Sequence, residues 1–252
     1  MNTKQTKKKI LFGGESWTSF TTHVKGFDTF TTSVYEEGIT YIAQAIEKAG
    51  YELVYIPGQH VAEQFPRTVE EFSEYACVVL SDIGSNTLLL SDDTFKRGLQ
   101  TPNRCQSIAS YVEQGGAFLM IGGYLSFSGI DHKARFGQTA IGDILPVGCL
   151  SGDDREEHPE GIVPQVREKH PALNGLPAEW PHFLGYNKVV PKETSEIPVM
   201  INGDPLLAFG HFGKGKTAVF TSDCAPHWGP QAFLSWAGYN TLWKNIFEYI
   251  MG

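Results

Sequence analysis

Residues 76–81 read ACVVLS, an almost continuous apolar run. A strand with one wet face alternates apolar and polar side chains, whereas a run without alternation is what a parallel sheet buries on both faces. Three further strand segments share the N-terminal half, at residues 8–12, 52–56 and 117–121. Helical patterns stand between them. Ile39, Ile42, Ala43 and Ile46 fall on one helical face that Gly50 terminates. Cys105, Ile108 and Val112 form a second face ending at Gly115-Gly116, with Thr101-Pro102 reading as the N-cap and first residue of that helix. Strand, helix, strand, strand, helix, strand is the order of a doubly wound α/β sheet.

After Ile144 the texture changes. Prolines recur at 159, 164, 171, 177, 181, 191 and 198, and strand-like stretches at 205–211 and 216–221 are separated by turns. Leu242, Ile246, Phe247 and Ile250 form one face of a closing helix. The reading is one domain over residues 1–252, whose C-terminal half adds antiparallel strands and long loops. With 41% hydrophobic and 12% aromatic residues the chain can bury a full core. A formal charge of -8 argues against a nucleic-acid partner, which needs clustered Lys and Arg. No stretch approaches the roughly 18 apolar residues of a membrane helix, so no membrane partner is expected. The basic run from Lys4 to Lys9 is followed only by Ile10, Leu11 and Phe12 before two glycines, which does not fit a signal peptide. Cys77, Cys105, Cys149 and Cys224 form no CxxC pair, and reduced thiols in a cytoplasm are the expectation.

Residues 210–217, GHFGKGKT, match the phosphate-loop pattern literally. That chemistry needs the loop to open a helix, so that backbone N–H groups and the helix dipole face the phosphates. Here Ala218, Val219 and Phe220 continue as a strand, so Gly213-Lys214-Gly215 reads as a hairpin turn without a nucleotide. The strand ends are more informative, because open α/β sheets bind ligands beyond the carboxyl ends of their strands. The first strand delivers Glu15, Ser16 and Trp17 there. The third delivers Ser81, Asp82, Ile83, Gly84, Ser85 and Asn86, and the fourth runs through Gly122 and Gly123 to Tyr124 and Ser126. Turn and cap roles account for such residues singly; three convergent ends favour a pocket. Residues 222–229, SDCAPHWG, crowd Asp223, Cys224, His227 and Trp228 together. A Cys–His nucleophile pair is one reading of that loop. Cys-x-x-His alone supplies too few ligands for structural zinc, and neither metal nor cofactor is assigned. The cluster Asp153, Asp154, Glu156 and Glu157 offers oxygen ligands, but Arg155 interrupts it and it reads as a solvated surface loop.

Four marker segments together resemble the class I glutamine amidotransferase-like superfamily, and within it a bacterial branch of cytoplasmic proteins. They are GGESW at 13–17, SDIGSN at 81–86, IGGYLSF at 121–127 and SDCAPHW at 222–228. The resemblance implies a flavodoxin-like three-layer α/β sandwich with a mostly parallel sheet. In the working enzymes the third strand leads into a glycine-rich oxyanion loop, whose place residues 81–85 take here. The fourth leads into a G-x-C-x-G elbow, and a later strand into a His-Pro-Glu segment whose counterpart is the His227 loop. The chain departs at both points: the elbow cysteine falls at about Gly123, and position 229 is Gly rather than Glu. Glutamine thioester chemistry needs a thiolate at the elbow, so ordinary glutaminase activity is not expected.

Two functions of different class remain. In the first, Trp17, Tyr124 and Trp228 wall a site in which Asp82, Asn86 and Asp223 hydrogen-bond a small polar ligand, with Gly84, Ser85, Gly122 and Gly123 lining it. By analogy with sheet domains of trehalose-utilisation-type proteins and some β-galactosidases, the ligand is a sugar or an amino-acid derivative. The alternative is a hydrolase or amidotransferase-type enzyme. There Glu15 and His227 are acid and base, Ser126 or Tyr124 is donor or nucleophile, and Gly84 and Gly123 N–H groups bind an oxyanion. An oligomeric scaffold, a homo-oligomer, is the third option. Glu15, Tyr124 and His227 are expected to line one pocket.

Overall fold

The computed structural model describes residues 7–252; residues 1–6, which hold the start of the basic run, lie outside the described residues. β1 (Lys9–Gly14) is followed by an element that the apolar pattern does not announce. At Glu15 the chain turns into β2 (Ser16–Lys25) and β3 (Asp28–Glu37), an antiparallel ribbon paired from Ser16–Glu37 to Lys25–Asp28. Gly26, at φ 65°, holds the first position of its two-residue turn, where a hairpin of this length favours glycine. Then come α1 (Thr40–Lys48), β4 (Glu52–Pro57), α2 (Gly58–Gln64), α3 (Val69–Phe72) and β5 (Cys77–Ser81). α4 (Ser85–Leu89), α5 (Asp92–Phe95) and α6 (Arg104–Glu113) lead to β6 (Ala117–Ile121). The Thr101-Pro102 start for α6 is corrected: Asn103 is the N-cap, its side chain accepting the Gln106 N–H at 3.2 Å.

The second half holds α7 (Ala140–Ile144), β7 (Val147–Cys149), β8 (Arg155–Ile162), β9 (Gln165–Val166), β10 (Phe183–Asn187) and β11 (Val189–Pro191). β12 (Glu196–Ile201), β13 (Asp204–Phe212) and β14 (Gly215–Phe220) follow, then α8 (Gln231–Leu234) and α9 (Tyr239–Met251). The result is an α/β fold around an eight-stranded sheet in the order β4-β1-β5-β6-β14-β13-β12-β9, with three two-stranded antiparallel sheets beside it. β4, β1, β5, β6 and β14 run parallel. β13 and β12 are antiparallel additions.

Alternation along β1 sorts the core. Ile10 and Phe12 pack with α1 and α9 on one face of the sheet, and Leu11 packs with α2, α3, α6 and α7 on the other. Each fully buried Leu, Ile or Phe contributes about 1.5–3 kcal/mol to holding these layers together. The parallel direction then sets function, because the carboxyl ends of β1, β5, β6 and β14 emerge at one edge.

Two loops take on definite roles. Residues 210–217 are the β13–β14 hairpin, with Gly213 at φ 58°, and Lys216 places its ammonium 4.3 Å from the Tyr249 ring centre. The acidic stretch is not a solvated loop. Asp154 is buried and accepts N–H groups from Ser128 (2.8 Å) and Gly129 (2.9 Å) and the Asn187 side-chain amide (2.9 Å). Arg155, which opens β8, forks onto Asp153.

Candidate functional site

Glu15 begins the site. Its N–H donates to Ser81 O (2.9 Å), prolonging the β1–β5 ladder by one bond, while its φ of 51° is the left-handed region that non-glycine residues seldom occupy. The side chain is thereby fully buried. Oε2 accepts from Ser81 Oγ at 2.5 Å and from Cys224 Sγ at 3.7 Å, and the two donors lie 3.9 Å apart. Oε1 has no partner and sits against Gly38, where even a methyl would lie 2.5 Å away. Burial, then the nearby Asp223 and Asp82, push the Glu15 carboxyl well above the usual range against weaker opposing effects of Ser81 and His227. Burial followed by Asp82 raises Asp223 in the same way, and burial followed by Glu15 and Asp223 raises the Cys224 thiol. The floor of the site is therefore a set of buried acidic groups whose charged forms are disfavoured.

Glu15, Asp223 and Cys224 each place one donor atom within 4.8 Å of the others. That set could hold a divalent cation of zinc-like preference only in the deprotonated form that burial disfavours.

Above this floor lies an open rim. Asp223 Oδ1 accepts the Ala225 N–H (2.9 Å), and Oδ2 lies 3.6 Å from Nδ1 of His227. His227 is half exposed and its φ is 125°, a conformation that a β-carbon makes costly. Its ring centre is 4.7 Å from Trp17 and 6.5 Å from Tyr124. The Trp17 indole N–H donates to Glu36 (3.1 Å), and the Arg155 guanidinium lies 4.9 Å from the Tyr124 ring centre. Burial, then Glu157, raises the Tyr124 phenol.

The strand ends thus bring Glu15, Tyr124 and His227 to one edge, in two layers: Glu15 below, Tyr124 and His227 above, joined through Asp223. Several expected roles are corrected. Ser126 is buried, its hydroxyl donating to Ile121 O (2.6 Å) and accepting the Asp82 N–H (3.1 Å), which leaves it no nucleophilic freedom. The Gly123 N–H is not open to an oxyanion, since it donates to Asn187 Oδ1 (3.0 Å). Gly122 and Ser85 likewise spend their N–H groups on backbone carbonyls. Gly84 is the N-cap of α4, and Asn86 lies exposed on that helix. Trp228 is buried with its N–H on Glu157 (2.9 Å), so it backs Tyr124, 5.5 Å away, rather than facing solvent. Asp82, at φ 44°, accepts the Leu125 N–H (2.7 Å) and pins the β6 loop. At Gly123, φ is 149° and an added methyl would lie 2.8 Å from Asp82 Cβ.

Sequence reasoning assigned no role to Arg155 or Asn187, placed Ser81 only within the strand-end loop, and read Glu157 as part of a solvated surface loop. Ser81 stood inside a quoted marker segment and Arg155 inside the acidic stretch; Asn187 carried no signal, because its role arises only when β10 docks beside the β6 loop.

A family model described as "Putative glutamine amidotransferase" matches residues 9–252. The chain belongs to that family. Two solved cytoplasmic proteins of Salmonella typhimurium are close to this amidotransferase-like chain. One is 47% identical with a TM-score of 0.93, the match covering 96% of this chain and 98% of that one. The other, from strain LT2, is 46% identical with a TM-score of 0.93 over 96% and 99%. A ThuA-like protein of Bacteroides uniformis, 12% identical over 98% and 92% of the two chains with a TM-score of 0.53, shares the fold. No curated protein matches the sequence.

Proposed function

We propose that this member of the amidotransferase-like family binds a small polar ligand, a sugar or amino-acid derivative, above the carboxyl ends of its parallel strands. The same reading places it in the cytoplasm, like its two Salmonella relatives, which are described as cytoplasmic proteins, on a flavodoxin-like sandwich. The order β4-β1-β5-β6-β14 supports that last point, because in sequence order these strands read 2-1-3-4-5. The carrying observation is His227: half exposed, backbone-strained, seated over buried Asp223 and flanked by Trp17 and Tyr124. Aromatic faces receive the apolar face of a sugar or amino acid, while the exposed imidazole between them supplies a polar contact. Thiolate chemistry has no support here. Position 123 has no room for a side chain, and Cys224 is buried with its thiol pushed up.

Calorimetric titration of the protein with a panel of monosaccharides, disaccharides, amino acids and amides tests this reading. Saturable binding of one member, lost in both Trp17→Ala and His227→Ala with their folds intact, is the expected result. A panel without binding, or binding indifferent to both changes, overturns it.

The same residues favour a second reading, with His227 as general base, Asp223 3.6 Å from its Nδ1, and the buried Glu15 carboxyl, whose charged form burial disfavours, as the acid. Turnover of chromogenic ester, amide or glycoside substrates that vanishes in His227→Ala would replace the binding reading with this one.

A further inference from the structure

The β2–β3 ribbon has no account in the site or in the core. Its two strands are ten residues each, so at about 3.3 Å per residue it is roughly 33 Å long. Nearly all of it is exposed: every residue of β3, and Thr18 to Thr22 of β2. Among the described residues both outer edges are unpaired, since the ribbon is a sheet of two strands. A two-stranded hairpin with water on all sides is marginal at best, and unpaired edges invite another strand. This one also shows Phe20, Val24, Phe27, Phe30, Val34 and Tyr35 to solvent. They divide between its faces, Phe30 and Val34 on the face of Trp17 and Phe20, Val24 and Tyr35 on the other, with Phe27 in the turn.

We propose that the ribbon is an arm that clasps a second copy of this chain, the two β2 edges pairing antiparallel about a twofold axis. Charge selects the edge. In an isologous antiparallel pair each tip lies beside the other copy's base. Trp17, Lys25, Asp28 and Glu36 share one face, since position 17 pairs with 36 and 25 with 28. Joining β2 to β2 sets the tip Lys25 of one copy beside Trp17 and Glu36 at the base of the other. Joining β3 to β3 would instead oppose Asp28 and Glu36, two like charges, which is unfavourable. Phe20 and Val24, the exposed apolar residues of β2 itself, are then flanked by side chains of the other copy's β2. Because Trp17 touches His227, the second copy's tip also comes to roof the open rim of the site.

Sedimentation velocity over a concentration series reads this directly, as mass rather than ligand binding, so it stands or falls apart from the proposed ligand. The parent is expected to sediment as a dimer or a multiple of one. Lys25→Glu should weaken association several-fold, and adding Glu36→Lys should restore it. Replacing residues 19–34 by Asn-Gly should leave a folded monomer. A parent that is monomeric at every concentration overturns the proposal, including one whose ribbon attaches only to lipid vesicles. An assembly that survives both Lys25→Glu and the replacement overturns it too.

Discussion

Glu15 is the residue on which the buried floor turns, and its charge state has a measurable consequence. Its folded pKa lies well above the unfolded value, chiefly through burial. Between those two values the folded chain holds a proton that the unfolded chain has released. Its contribution to stability is therefore full below the unfolded carboxyl range and falls as pH rises toward the folded pKa. The slope for one such proton is at most about 1.4 kcal/mol per pH unit. Glu15→Gln, which keeps the shape and cannot ionise, should gain on the parent as pH rises through that window. Urea unfolding of both proteins at a series of pH values measures it, and a constant difference between them would mean that Glu15 is ionised in the fold. The thiols give a second residue-scale prediction. Cys77, Cys105 and Cys224 are buried, and the half-buried Cys149 is pushed up to about 12, mostly by burial. Native protein near neutral pH should resist a disulfide reagent and a glutamine-analogue electrophile, while denatured protein should titrate four thiols with the disulfide reagent. Rapid native labelling of Cys224 would contradict this and reopen thiol chemistry at the site.

At the scale of elements, the turn between β3 and α1 is fitted to the floor through Gly38. A β-carbon there would lie 2.5 Å from Glu15 Oε1 and 2.9 Å from Ala225 Cβ. Gly38→Ala should cost about 1–3 kcal/mol, the usual range for overpacking. The penalty should shrink in a Glu15→Ala background, which vacates the space, and a double-mutant cycle by urea unfolding detects that coupling. Strictly additive effects would place the strain elsewhere. β1, β5 and β6 were legible because burial on both faces leaves an apolar run that turn residues end, and the half-buried edge strand β4 because Pro57 stops its shorter apolar run. The ribbon was not, and for the converse reason. Alternation is written by one buried face, and residues such as Thr21, Thr22, Thr31 and Thr32 answer to none. What remained was β-branched composition around Gly26, a propensity signal without a period. The site divides the same way. Glu15 and Tyr124 were placed together by topology, since parallel strands share an edge, and His227 joined them through the family resemblance. That Ser126 spends its hydroxyl on Ile121 and Asp82, and that Asp154 goes inside, depend on loop docking that no local pattern encodes.

For the whole molecule, the two core clusters lie on opposite faces of one sheet and share its strands, so neither can melt alone. Ile10 and Leu11 are neighbours on β1 and belong to different clusters. The body should unfold in one cooperative transition, with calorimetric and van't Hoff enthalpies in agreement. The ribbon stands outside that unit. Only its base meets the body, through Trp17 against His227 and the Ser16 hydroxyl accepting the Gly58 N–H at 2.7 Å. Replacing residues 19–34 by Asn-Gly keeps the base, because Thr18 and Tyr35 are a natural pair for a two-residue turn to join. The body's intrinsic stability should survive the change. What should disappear is concentration dependence: assembly that favours the folded state raises Tm with protein concentration. The parent's Tm should climb across a dilution series while the shortened protein's stays flat, both approaching the same value at the dilute end. A shortened protein that melts far below the diluted parent would make the ribbon part of the core's cooperative unit instead. A parent whose Tm ignores concentration would leave the ribbon without the second copy that its exposed side chains and unpaired edges call for.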